Sequence, residues 1–193
     1  MNRRSTAEWV TYLLEPKNWI IATTLAVGWH AAGGRGLAWG AVAAVFAGVL
    51  PTVFINRGIR DGRWADRNVG ARRPRLIVLS FIIASVAVGL VLMVGLGAPG
   101  ELSGYFACML GSIAVLAAIT TAWKISIHCA VASGSVTILT LLFGLWLVPA
   151  YLLVALTGWS RMELKDHTTA QVITGSVLGA VAAVITYALI PHQ

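Results

Sequence analysis

Apolar residues in this chain run in long unbroken blocks, and polar residues gather in the short stretches between them. Segments 76–97 and 102–123 contain no charged residue at all. As helices rising ~1.5 Å per residue, each reaches about 33 Å, enough to cross a hydrocarbon core of ~30 Å. The same pattern predicts crossings at 18–32, 37–56 and 169–190. The apolar tract at 129–158 admits two readings. It is either one helix of about 45 Å or two short helices, with Gly144 supplying a turn and Pro149 in the first turn of the second. The expected fold class is therefore all-α, a polytopic transmembrane bundle of six or seven helices forming a single membrane-embedded domain over 1–193. Met1-Asn2-Arg3-Arg4 ahead of an apolar run imitates a signal peptide. Glu15, Pro16 and Lys17 interrupt that pattern, so 18–32 reads as a retained first helix.

Charge decides what composition leaves open. A tract folded as a hairpin gives seven crossings, and with the N-terminus inside the inner segments are 1–17, 57–75, 124–128 and 159–168. They hold every one of the 14 lysines and arginines except Arg35, as the excess of basic residues in cytoplasmic loops requires. A single crossing at 129–158 sends Arg161 and Lys165 to the other face. The expected location is thus a cell membrane, multi-pass, with the N-terminus and these loops cytoplasmic. The net charge of +7 then reflects topology and anionic headgroups rather than nucleic acid. Trp19, Trp123 and Trp159 fall at inner helix ends and Trp29, Trp39 and Trp146 near outer ones, matching interfacial belts. Cys108 and Cys129 read as small buried hydrophobes with neither disulfide nor metal spacing. Gly175-x-x-x-Gly179 signals close helix packing.

Three polar clusters share the inner face. The first is the basic loop 57–75, with Asp61, Asp66, Arg67, Arg72, Arg73, Pro74 and Arg75. The second is site loop 124–128, Lys124-Ile125-Ser126-Ile127-His128. The third is site loop 159–168, in which Ser160-Arg161 is followed after five residues by His167. A solvated basic loop, a snorkelling lysine and a capped polar turn (Thr168 or Asp166 as cap) account for each cluster alone. Together they assemble two histidines, several cations and hydroxyls. Phosphoryl transfer uses that set: cations hold the equatorial oxygens, one imidazole attacks phosphorus and another protonates the leaving oxygen. A site at a helix mouth suits a lipid phosphate, whose tail stays in hydrocarbon while the headgroup enters.

These residues resemble the type-2 phosphatidic acid phosphatase superfamily, with motifs K-x6-R-P, P-S-G-H and S-R-x5-H-x3-D. The third appears as Ser160-Arg161-x5-His167-x3-Gln171, the second as Ser126-x-His128, and the first as Arg73-Pro74 with Asp66 and Arg67 where the lysine belongs. The resemblance spans roughly 66–179. It implies a helical bundle, a covalent phosphohistidine and no metal or other cofactor. His167 would be the nucleophile, His128 the general acid, and Arg73, Ser126 and Arg161 the phosphate ligands. Outside the family's pattern, the charge of Lys124 or Arg67 is expected to replace the missing lysine. Gln171 stands where the family has an aspartate that orients the nucleophile. A glutamine keeps a hydrogen bond to imidazole but adds no charge.

The expected function is hydrolysis of a phospholipid or isoprenoid (di)phosphate, a phosphatase or diphosphatase activity. Two rivals remain. Asn56, Asp61, Asp66 and Arg73-Pro74 also resemble the first motif of intramembrane prenyltransferases and their terpene-cyclase relatives, in which carboxylates hold Mg²⁺ against a prenyl diphosphate. The departures from the three motifs equally fit a non-catalytic protein that binds lipid phosphates.

Overall fold

The computed structural model describes residues 2–64 and 72–190, and every regular element in them is helical. In chain order these are α1 (Arg3–Leu13), α2 (Pro16–Ala44), a π-helical segment (Val45–Val49), α3 (Leu50–Arg60), α4 (Arg72–Gly95), α5 (Gly100–Ala122), α6 (Ile127–Phe143), a 3₁₀ segment (Leu145–Ala150), α7 (Tyr151–Glu163) and α8 (Thr169–Leu189). Five helical stretches are long and apolar enough to cross a membrane: Arg3–Arg60, Arg73–Gly95, Gly100–Ala122, Leu145–Glu163 and Thr169–Leu189. Ile127–Phe143 is a shorter apolar helix.

The first of these stretches folds back on itself. Ala32 (φ −159°, ψ 31°) and Gly33 (φ 55°, ψ −134°) leave helical geometry inside α2, and the two arms pack backbone against backbone. A Cβ on Gly28 would lie 2.3 Å from the Gly36 carbonyl oxygen, and one on Gly40 would lie 2.5 Å from that of Thr24. The expected crossings 18–32 and 37–56 are these arms, the second running on through the π segment and α3. In the π segment, the Ser85 hydroxyl of α4 donates to the Phe46 carbonyl at 2.6 Å, and Thr52 donates to that of Gly48 at 2.7 Å.

The tract at 129–158 is a hairpin. Gly144 ends α6 at φ 110°, a conformation that favours glycine, and the chain returns through the 3₁₀ segment into α7. Pro149 lies inside that segment rather than in the first turn of α7. Counting both arms of the first stretch and α6, the described residues make seven apolar passes.

α6 is the central helix, with Cys129, Ala132, Val136 and Ile138 almost fully buried. Gly175 and Gly179 let α8 touch it: added Cβ atoms would meet the carbonyl oxygens of Ser126 at 2.5 Å and Ala130 at 2.0 Å. That contact brings the start of α8 beside the start of α6. The two ends of the bundle differ sharply. At one end Arg35 Nη2 donates to the Gly97 carbonyl at 3.1 Å, and His30 Nδ1 meets the buried Glu101 carboxylate at 2.7 Å. At the other lie the starts of α2, α4, α6 and α8 and the end of α7. α1 is lashed there by the Thr11–Ser160 hydroxyl pair (3.1 Å) and by Arg3–Glu163 (3.4 Å).

Candidate functional site

A helix turns about 100° per residue, so positions two apart face nearly opposite ways. At the start of α4 only one of Arg73 and Arg75 can therefore point into the bundle. It is Arg75, 6% exposed, on the same face as Val78, Leu79 and Ile82; Arg73 is exposed. Arg75 Nη2 donates to the Ile125 carbonyl at 2.5 Å. The buried arginine at the start of α4 is thus Arg75, two residues on from the expected Arg73.

Ser126 caps α6. Its fully buried hydroxyl accepts from the Cys129 N–H at 3.4 Å, and its own N–H donates to the Gln171 carbonyl at 3.3 Å. His128 follows in the first turn, half-buried. Lys124 is half-buried beside them, near enough for its charge to act on His167.

The spacing between Arg161 and His167 becomes contact through two helix ends. α7 stops in a Schellman turn: the Asp166 N–H donates to the Arg161 carbonyl (3.0 Å), the Lys165 N–H to that of Met162 (2.9 Å), and Lys165 takes the left-handed conformation (φ 58°). α8 starts two residues later in a capping box. Thr168 Oγ1 accepts from the Gln171 N–H, while Gln171 Oε1 accepts from the Thr168 N–H at 3.1 Å. His167, 8% exposed, is held between these ends, and its own N–H donates to the Arg161 carbonyl at 3.2 Å. Arg161, 1% exposed, pairs through Nη2 with Asp166 at 2.7 Å.

Gln171 also fixes the tautomer of His167. The Thr168 N–H requires an acceptor, so the Gln171 oxygen faces the turn. His167 Nδ1 lies 3.0 Å from that same oxygen and must carry the proton. Nε2 keeps its lone pair. Burial pushes the imidazole pKa down to about 4. The Gln171 bond opposes that shift, and the charges of Lys124, Arg75 and Arg161 add to it. Near neutral pH this ring is uncharged.

Arg75, His128, Arg161 and His167 line one cavity of about 150 Å³, room for about ten waters at ~10–15 Å³ each. Ala47, Gly48, Pro51 and Thr52, from the π segment and the start of α3, form part of its wall. Such π turns often sit at functional sites. Ile20, Val78, Leu79 and Ile82 make the rest of that side apolar, so the cavity is amphipathic. Glu15 and Lys17, paired at 2.9 Å, also line it. Neither stood out as a site residue in the sequence. Their only signal was that Glu15-Pro16-Lys17 interrupts the apolar entry to the first crossing.

Other expected residues lie elsewhere. The Ser160 hydroxyl is engaged with Thr11 and with the Thr157 carbonyl (2.8 Å), bracing α1 on α7. Ser126, Lys124 and Gln171 stand behind the lining residues and are not part of the wall. Asp61 is exposed and held by Arg63, whose hydrogen bond lowers its pKa, and it too is absent from the wall. Asp66 and Arg67 lie outside the described residues, among which no group of three or more His, Cys, Asp or Glu is placed to hold a metal ion. No protein-family model, curated protein or solved structure compared with the chain matches it.

Proposed function

We propose that this chain is an integral membrane lipid phosphatase or diphosphatase that works through a phosphohistidine at position 167. The observation that carries the reading is the His167–Gln171 pair, which leaves Nε2 of a neutral imidazole as the nucleophilic nitrogen of a cavity lined by two buried arginines.

In this scheme Nε2 attacks phosphorus, the bond from phosphorus to the lipid oxygen (or to the bridging oxygen of a diphosphate) breaks, and that oxygen takes a proton from His128. Binding of the phosphate dianion favours the protonated His128 needed for this step. Water then attacks the phosphohistidine, its proton passing to His128 as the Nε2–phosphorus bond breaks, which gives inorganic phosphate from either substrate and restores both histidines. Arg75 and Arg161 stabilise the equatorial oxygens as charge develops. The apolar half of the cavity accepts the first carbons of the tail. Basic residues crowd this end of the bundle, which supports a cytoplasmic placement of the site.

The test is a panel of acyl and prenyl phosphates and diphosphates given to purified protein, with and without chelator, following both phosphate and the organic product. The expected result is phosphate release that survives chelation and disappears in His167→Ala. Turnover unchanged in a folded His167→Ala protein would sink the reading. Strict Mg²⁺ dependence with a hydrocarbon product would replace it with the prenyl-diphosphate chemistry that Asp61 and Asp66 suggest.

A further inference from the structure

Glu15 and Lys17 take no part in that scheme, yet both line the cavity that holds His167. They come from the corner between α1 and α2, far in sequence from the other site residues, and docking of α1 on α7 keeps the corner in place. Both side chains are largely withdrawn from solvent, Glu15 at 13% and Lys17 at 25% exposure, and Lys17 Nζ also lies over the Tyr12 ring.

A carboxylate is an odd neighbour for a phosphate. Among the described residues, three cations of the wall (Arg75, Arg161 and Lys17) stand near two carboxylates, Glu15 in the wall and Asp166 on Arg161. With both histidines neutral before a ligand binds, these five charges leave one positive charge, and Lys124 beside His167 brings the local balance of the described residues to about +2. A phosphate monoester dianion neutralises such a cavity, whereas a diphosphate overfills it with negative charge in a space that Glu15 also lines. The cavity volume of about 150 Å³ also favours the smaller headgroup.

We infer that the Glu15–Lys17 pair is a charge filter that selects a lipid phosphate monoester over the corresponding diphosphate. This rests on the phosphatase reading above and narrows its substrate class. Discrimination of this kind works by repelling the wrong ligand as much as by attracting the right one.

The test compares kcat/KM for a prenyl monophosphate and the diphosphate of the same chain, in the full-length purified protein. The wild type is expected to prefer the monophosphate. Glu15→Gln, which keeps the shape, shifts the ratio toward the diphosphate by about fivefold, as expected for one partly exposed charge interaction. Lys17→Gln lowers both values, the diphosphate more, and Lys17→Arg restores the wild-type ratio. Thermal stabilisation by inorganic phosphate and by pyrophosphate gives the same comparison without turnover; in Glu15→Gln the gain is larger with pyrophosphate. A ratio unmoved in Glu15→Gln and Lys17→Gln, while His167→Ala abolishes activity, overturns the filter and leaves the phosphatase reading standing. Turnover that survives His167→Ala overturns the phosphatase reading, and the two inorganic probes then decide the filter alone: unequal shifts in Glu15→Gln support it, equal shifts overturn it.

Discussion

Replacing Gln171 with glutamate puts a charged oxygen where His167 Nδ1 now meets a neutral one at 3.0 Å. Glutamate also suits the third position of a capping box, so the Thr168 N–H keeps its acceptor and the start of α8 stays intact. With charge centres ~4 Å apart and an effective dielectric of ~20, the attraction is about 4 kcal/mol, an upper limit near 3 pKa units. Burial of the new carboxylate offsets part of that, leaving a rise of about 1–3 units. The starting value of about 4 makes the effect measurable in either of two ways. Nitrogen-15 histidine spectra report the imidazole directly, and the acid limb of kcat/KM reports it through activity. Both are expected to move up together, with kcat equal to or above wild type, because a more basic imidazole is a better nucleophile and its phosphorylated form is stabilised. Gln171→Asp adds the same charge on a shorter side chain and is expected to preserve or raise turnover with a smaller shift. A folded Gln171→Glu protein whose His167 titrates where the wild type does would refute the geometry on which the mechanism stands.

Further outcomes follow from the same contacts. His167 has a folded-state pKa near 4 against 6.5 for an unperturbed ring, so the folded state binds fewer protons than the unfolded one between these values. Stability contributed by the neutral ring is present above about 6.5 and is lost as pH falls through about 4; a melting series for His167→Gln is expected to be flatter across that window than wild type. Arg75→Ala is expected to cost about 10²-fold in kcat/KM, the usual scale for one oxyanion donor, while Arg73→Ala stays within about twofold; the reverse order would show that α4 is rotated. Lys165 holds the left-handed position of a Schellman turn, at ~1–2 kcal/mol for a residue with a Cβ. Lys165→Gly is therefore expected to raise stability by about 1 kcal/mol in a denaturant titration, with kcat unchanged.

Much of the bundle could be read from unbroken apolar blocks, because a segment without charges that is long enough to span has few other fates. The tract at 129–158 needed more, since its composition is nearly uniform. Charge at its far end favoured a hairpin, and the turn at Gly144 has that form. The site was legible in outline only. His167, His128 and Arg161 line one cavity as their loops suggested, yet the choice between Arg73 and Arg75 depends on the rotation of α4, which no motif records. The hydroxyls of Ser126 and Ser160 also cap α6 and brace α1, contacts that the motif spacing does not record. Glu15 and Lys17 could not be found by spacing at all, because a tertiary contact between α1 and α7 brings them to the cavity. The role of Gln171 shows the opposite case. A departure from a familiar motif at one position turned out to be the residue that caps α8 and holds the His167 ring at once.

The most direct test of a phosphohistidine at position 167 is to look for it. Purified protein in excess chelator is mixed with a ³²P-labelled lipid phosphate, quenched in alkali within a turnover, and digested for mapping. The account predicts acid-labile label on the peptide carrying His167, absent from His167→Ala. Phosphate release with no label on that peptide would contradict it, and so would release that needs added Mg²⁺.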